Sequence, residues 1–123
     1  MCIDHIGLSV SHYKTSKEFF CRALEPLGIQ LITETHGWAG FGKDAKPSFW
    51  LGEKTPVQQG MHLAFVAENR EQVRQFYQAA LAAGATDNGA PGIRDYYHPN
   101  YYGAFVIGPD GHNIEAVCHQ PEA

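Results

Sequence analysis

Asp4-His5-Ile6-Gly7-Leu8 near the start of the chain and Met61-His62-Leu63-Ala64-Phe65 near its middle are two versions of one phrase, and that repetition decides the fold. With His5 set against His62, the chain aligns with itself without gaps. Phe19-Phe20 meets Phe76-Tyr77 and Ala23-Leu24 meets Ala80-Leu81; after a slip of one residue, Gly28 meets Gly84. Two copies are too few for a solenoid. The chain therefore reads as one domain, residues 1–123, made of two halves, residues 1–55 and 60–123.

Each half opens with a strand. Asp4 to Val10 alternates apolar and small or polar residues, and Met61 to Val66 is a nearly continuous apolar run, as a buried strand would be. A helix follows in each. In the second half, Asn69 is placed to cap and Gln72 to reach back, while Val73, Phe76, Tyr77, Ala80 and Leu81 form one apolar stripe ended by Gly84. In the first half Phe19, Phe20, Ala23 and Leu24 form the stripe, which breaks at Pro26 and Gly28. Strands then close each half: Ile29 to Thr35, Trp38 to Gly42 and Ser48 to Leu51 in the first, Tyr101 to Ile107 and Asn113 to Cys118 around a Gly108-Pro109-Asp110-Gly111 turn in the second. The stretch from Thr86 to Asn100 reads as loop-rich, and Glu53 to Gly60 as the linker between the halves. The expectation is an α+β fold of two tandem βαβββ modules.

Composition narrows the function. The net charge of −4 and the absence of a Lys/Arg cluster remove the electrostatic footprint of nucleic-acid binding. No apolar run approaches a membrane span, and the opening residues lack the basic and apolar regions of a signal peptide, so a cytoplasmic protein is expected. Cys2, Cys21 and Cys118 are odd in number, with no CxxC spacing, and read as reduced thiols.

A tandem βαβββ pair of this length resembles the vicinal oxygen chelate superfamily, the glyoxalase, bleomycin-resistance and extradiol-dioxygenase group. The resemblance spans essentially the whole chain. It is carried by the two opening phrases and by Gly108-Pro109-Asp110-Gly111-His112-Asn113-Ile114-Glu115. It implies curled mixed sheets around a metal pocket, with ligands from the first strand of each half and from a last strand. It also implies paired modules and hence a homodimer, with a small molecule as substrate.

The residues suggest the same site by their own chemistry. His5 and His62 hold equivalent places, and equivalent inward side chains converge near a pseudo-twofold axis. Glu115 stands in an apolar strand, where a carboxylate is costly unless paired or bound to a cation. Two imidazoles and a carboxylate suit Fe, Mn, Zn or Ni and leave positions open for substrate. The pattern departs from four-ligand glyoxalase I: the place in the first half that matches Glu115 falls on Phe49 or Trp50, and Glu53 lies past the strand's end. Three ligands resemble instead the extradiol dioxygenases and the fosfomycin-resistance enzymes. A drug-binding dimer without chemistry is the alternative.

The segment Arg94-Asp95-Tyr96-Tyr97-His98-Pro99-Asn100-Tyr101-Tyr102 is dense in groups that handle protons. His98 is a candidate acid/base. Tyr101 and Tyr102 lie on opposite strand parities, so one of them faces the concave side; Tyr102 is taken as the candidate catalytic tyrosine. His12, His36 and His119 read as surface residues, and His112 as a turn or sheet-edge residue.

Overall fold

The computed structural model describes residues 2–122. The first half runs β1 (Ile6–Ser9), α1 (Tyr13–Leu24), β2 (Gln30–Thr35), β3 (Trp38–Lys43) and β4 (Lys46–Gly52). The second runs β5 (His62–Val66), α2 (Arg70–Ala82), β6 (Thr86–Ile93), β7 (Tyr102–Ile107) and β8 (Asn113–Cys118). Each half makes one four-stranded mixed sheet, in the orders β1-β4-β3-β2 and β5-β8-β7-β6. In both, the first strand pairs in parallel with the last, and the remaining neighbours are antiparallel.

Alternation along the strands sorts each sheet into two faces. Leu8, Ala39, Phe41, Phe49 and Leu51 of the first sheet are buried with Ala104, Val106, Ile114 and Ala116 of the second in one core, together with the apolar stripes of both helices, and the partly buried Leu63 and Phe65 of β5 pack against it. Phe49 meets Phe65 edge-on, ring centres 5.3 Å apart, so the halves share that core. Asp110 adds a polar tie across it, accepting from the backbone N–H and the hydroxyl of Ser11. The helices end as their sequences require. Asn69 accepts from the Gln72 N–H at 2.8 Å, the Gln72 side chain accepts from Glu68, and Gly28, at φ 78, closes the 3-10 turn after α1.

One expectation changes. The segment from Thr86 onward is a strand through Ile93, despite its Gly89, Pro91 and Gly92. It is an edge strand that pairs with β7 alone, its register slips at Asp87/Gly89 and again at Gly89/Gly92, and at an edge a proline breaks no central ladder. His112 stands at the turn before β8, as expected, and is 1 % exposed, its Nδ1 accepting from the Met61 N–H.

Candidate functional site

The face of each sheet turned away from the helices carries the candidate chemistry, and parity decides which residues stand there. Glu115 alternates with Ile114 and Ala116, which point into the core, so its carboxylate points the other way. His62 lies on the neighbouring strand, where Ala64 is paired with Glu115. Its Nε2 comes within 2.9 Å of Glu115 Oε1. The other carboxylate oxygen accepts a short hydrogen bond from the Tyr101 hydroxyl. Glu115 is 1 % exposed, and both of its oxygens are engaged, as a buried carboxylate requires. Burial, and then the Glu115 carboxylate itself, hold the Tyr101 hydroxyl well above the ordinary tyrosine pKa, so Tyr101 stays protonated and a donor. Gly103 makes this packing possible: a Cβ there would stand 3.1 Å from both Glu115 Oε2 and the Tyr101 ring.

The tyrosine at this site is therefore Tyr101, and the expectation placed on Tyr102 is corrected. Tyr102 shares parity with the core residues Ala104 and Val106, lies on the helix side, and its hydroxyl accepts from Arg74 at 3.2 Å. Both parities carry an aromatic followed by small or apolar residues, so composition did not separate them. The pairing of Phe105 with Glu115 does.

His98 is exposed at the rim. Its Nδ1 lies 2.9 Å from the Pro99 carbonyl, its ring stacks on His119 with centres 4.4 Å apart, and it meets Tyr101 edge-on. A proton on Nδ1, given to that carbonyl, leaves Nε2 as the accepting nitrogen. The partnership with His119 was not visible in the sequence, because β8 ends between them and the chain, not the register, brings the two rings together.

His5 stands apart from the pair. It precedes β1, its side chain is 60 % exposed, and its Nδ1 is 2.7 Å from Asp4. It lines a hollow of about 320 Å³ on the first sheet with Gly7, Trp38 and Trp50, whereas His62 lines one of about 350 Å³ on the second with Arg94, Tyr96, Tyr97 and Phe105. Among the described residues, no three His, Cys, Asp or Glu side chains gather closely enough to hold a metal. One imidazole and one carboxylate at 2.9 Å have the spacing that two ligands of one divalent ion take, about 3 Å. Thus the second half offers two metal donors of the right kind, and the described part of a single chain offers no third beside them.

The register also identifies the counterpart of Glu115. Gly7 pairs with Trp50 as Ala64 pairs with Glu115, so the first half carries a tryptophan where the second carries its carboxylate. Glu53 follows the end of β4.

Known proteins place this architecture. No curated protein matches the chain. Among solved structures, a glyoxalase/bleomycin resistance protein from Albidiferax ferrireducens T118 is 27% identical, with 94% of this chain and 97% of that one covered and a TM-score of 0.84. A glyoxalase/bleomycin resistance protein/dioxygenase family enzyme from Burkholderia phytofirmans PsJN, 18% identical, covers 98% and 100% at a TM-score of 0.73. A possible glyoxalase from Bacillus cereus, 22% identical, covers 96% and 99% at 0.66. The family model matches residues 2–116, and the chain belongs to the Glyoxalase/Bleomycin resistance protein/Dioxygenase superfamily.

Proposed function

We propose that the protein is a divalent-metal-dependent enzyme whose site is shared between two copies, His62 and Glu115 from one and His5 from the other, acting on a small substrate that offers two adjacent oxygens. The observation that carries this reading is the buried Glu115 carboxylate held against His62, in a hollow separate from the one that His5 lines. A homodimer that brings the two hollows together supplies the third donor that one chain lacks. Ile3 and Val66, large apolar residues left 69 % and 67 % exposed, stand two residues before His5 and at the far end of the His62 strand, where such pairing would cover them.

The metal, when bound, supplies Lewis-acid stabilisation of negative charge on substrate oxygen. The chain supplies the rest. Glu115 and His62 orient each other, and Tyr101 fixes the Glu115 carboxylate while keeping its own proton. His98, packed against Tyr101 with its Nε2 free to accept, is the candidate base for exchange with water. Tyr102 takes no part, because it faces α2. Lyase, isomerase, thiol-transferase and ring-cleaving reactions all draw on this arrangement.

Elemental analysis of protein purified without tag or chelator, beside His5→Ala, His62→Ala and Glu115→Ala, tests the reading. About one metal per chain, lost in each variant, is expected. Mixing His5→Ala with His62→Ala chains should regenerate one intact site per mixed dimer. Iron would point to oxygen chemistry; zinc, nickel or manganese to lyase, isomerase or transferase chemistry. No metal after reconstitution would refute the site and leave a ligand-sequestering dimer in its place.

A further inference from the structure

The hollow beside His5 is walled by the two tryptophans of the chain. Glycine backbone makes room for both. A Cβ on Gly40 would stand 2.8 Å from the Trp50 ring, and one on Gly52 would stand 2.7 Å from the Trp38 ring, closer than atoms pack. The result is a trough with indole walls, edged by Thr35, His36 and His5. Indole faces favour another aromatic ring, offset or edge-on.

The hollow beside His62 holds a cation of a particular kind. Arg94 is half-buried, and its guanidinium rests over the Phe105 ring, 5.4 Å from the ring centre. Two of its N–H groups are occupied by backbone carbonyls, at 2.9 Å from Ala90 and 3.4 Å from Gly103. Gly89 and Gly92 again leave the space, since a Cβ on either would press on the guanidinium at 3.2 and 3.0 Å. A guanidinium has five N–H donors, so three remain. Among the described residues no carboxylate forms an ion pair with Arg94, and both oxygens of Glu115 are already engaged. Arg94 is thus a braced cation with donors to spare, opening into the pocket of the proposed metal ligands.

If His5 of one copy joins His62 and Glu115 of another, the tryptophan trough of the first is brought against the Arg94 hollow of the second. We infer that this composite site selects a planar aromatic acid, its ring on Trp38 and Trp50 of one copy and its carboxylate on Arg94 of the other. The inference rests on the shared-site reading above. A carboxylate matches the guanidinium fork in plane and spacing, which a neutral group or a lysine would not.

The test uses para-toluate as the aromatic acid, para-methylbenzyl alcohol as its neutral counterpart and cyclohexanecarboxylate as the acid without a π face. Binding is followed by calorimetry and by tryptophan fluorescence, which reports only Trp38 and Trp50. The wild-type protein should bind toluate at least about tenfold more tightly than either control. Arg94→Gln should lose about tenfold to a hundredfold in toluate affinity and with it the preference over the alcohol; Arg94→Lys should recover part of it. Trp50→Leu should lose the preference over cyclohexanecarboxylate. Metal content and oligomeric state are measured on the same samples. A metal-loaded dimer that binds the three probes alike overturns this inference alone. A metal-free monomer without selective binding overturns both it and the shared-site reading.

Discussion

Tyr101→Phe removes one hydroxyl and leaves one oxygen of the 1 % exposed Glu115 carboxylate without its donor. A hydrogen bond to a charged group contributes about 1.5–3 kcal/mol, and stranding a buried carboxylate oxygen costs an amount within that range. We therefore expect about 2 kcal/mol of destabilisation in metal-free protein. With a urea m-value of about 1.5 kcal/mol/M, the unfolding midpoint falls by about 1.3 M. The reasoning is specific to the carboxylate, so a cycle with Glu115→Leu isolates it. Once the acid is replaced by an apolar residue, Tyr101→Phe strands nothing, and its cost should fall below about 0.5 kcal/mol. His62, 54 % exposed, can turn to water in that background and adds no second orphan. The assay is equilibrium urea unfolding at one fixed protein concentration with chelator present, because dimerisation makes midpoints concentration-dependent. An equal cost of Tyr101→Phe in both backgrounds would refute the argument that the Glu115 carboxylate depends on this hydroxyl.

Two other perturbations follow from the packing. His112 is buried, its Nδ1 accepts from Met61, and its Nε2 has no partner among the described residues; burial holds it neutral and its pKa below the ordinary 6.5. The unfolded chain takes up the proton first as pH falls. This contribution to stability is accordingly complete above about pH 6.5, and it declines below that by up to about 1.4 kcal/mol per pH unit until the folded His112 is itself protonated; His112→Asn, which keeps an acceptor for Met61, should flatten that slope in urea titrations across pH. Gly52→Ala places a methyl group 2.7 Å from the Trp38 ring, so the indole must move: a changed tryptophan emission spectrum and a loss of about 1–3 kcal/mol are expected, and an unchanged spectrum would show that the ring does not lie on Gly52.

The duplicated plan was legible because burial repeats it in the residues themselves: one face of each sheet must be apolar, and a shift of one residue would turn Leu8 or Leu63 to the wrong side. The pairing of His62 with Glu115 could be anticipated from the cost of a carboxylate among Ile114, Ala116 and Val117. What escaped the sequence is information held by register and by chain reversal. Tyr101 and Tyr102 are equally good strand residues, and the pairing of β7 with β8 chooses between them. Phe49 and Trp50 are equally good counterparts of Glu115 by sequence, and the pairing of Gly7 with Trp50 chooses between them. The β6 strand was hidden by its turn-forming residues, which an edge with register slips tolerates. The distance between His5 and the other two candidates was invisible as well, because equivalence by repeat does not imply proximity within a chain.

The core shared by the two halves has a consequence for each half taken singly. Phe49 against Phe65, and Asp110 holding Ser11, are contacts between modules, not within them. A single βαβββ unit would expose that surface, so neither half closes a core without the other. The join around residues 53–56 is exposed, and a backbone cut there leaves two fragments whose apolar faces still cover each other.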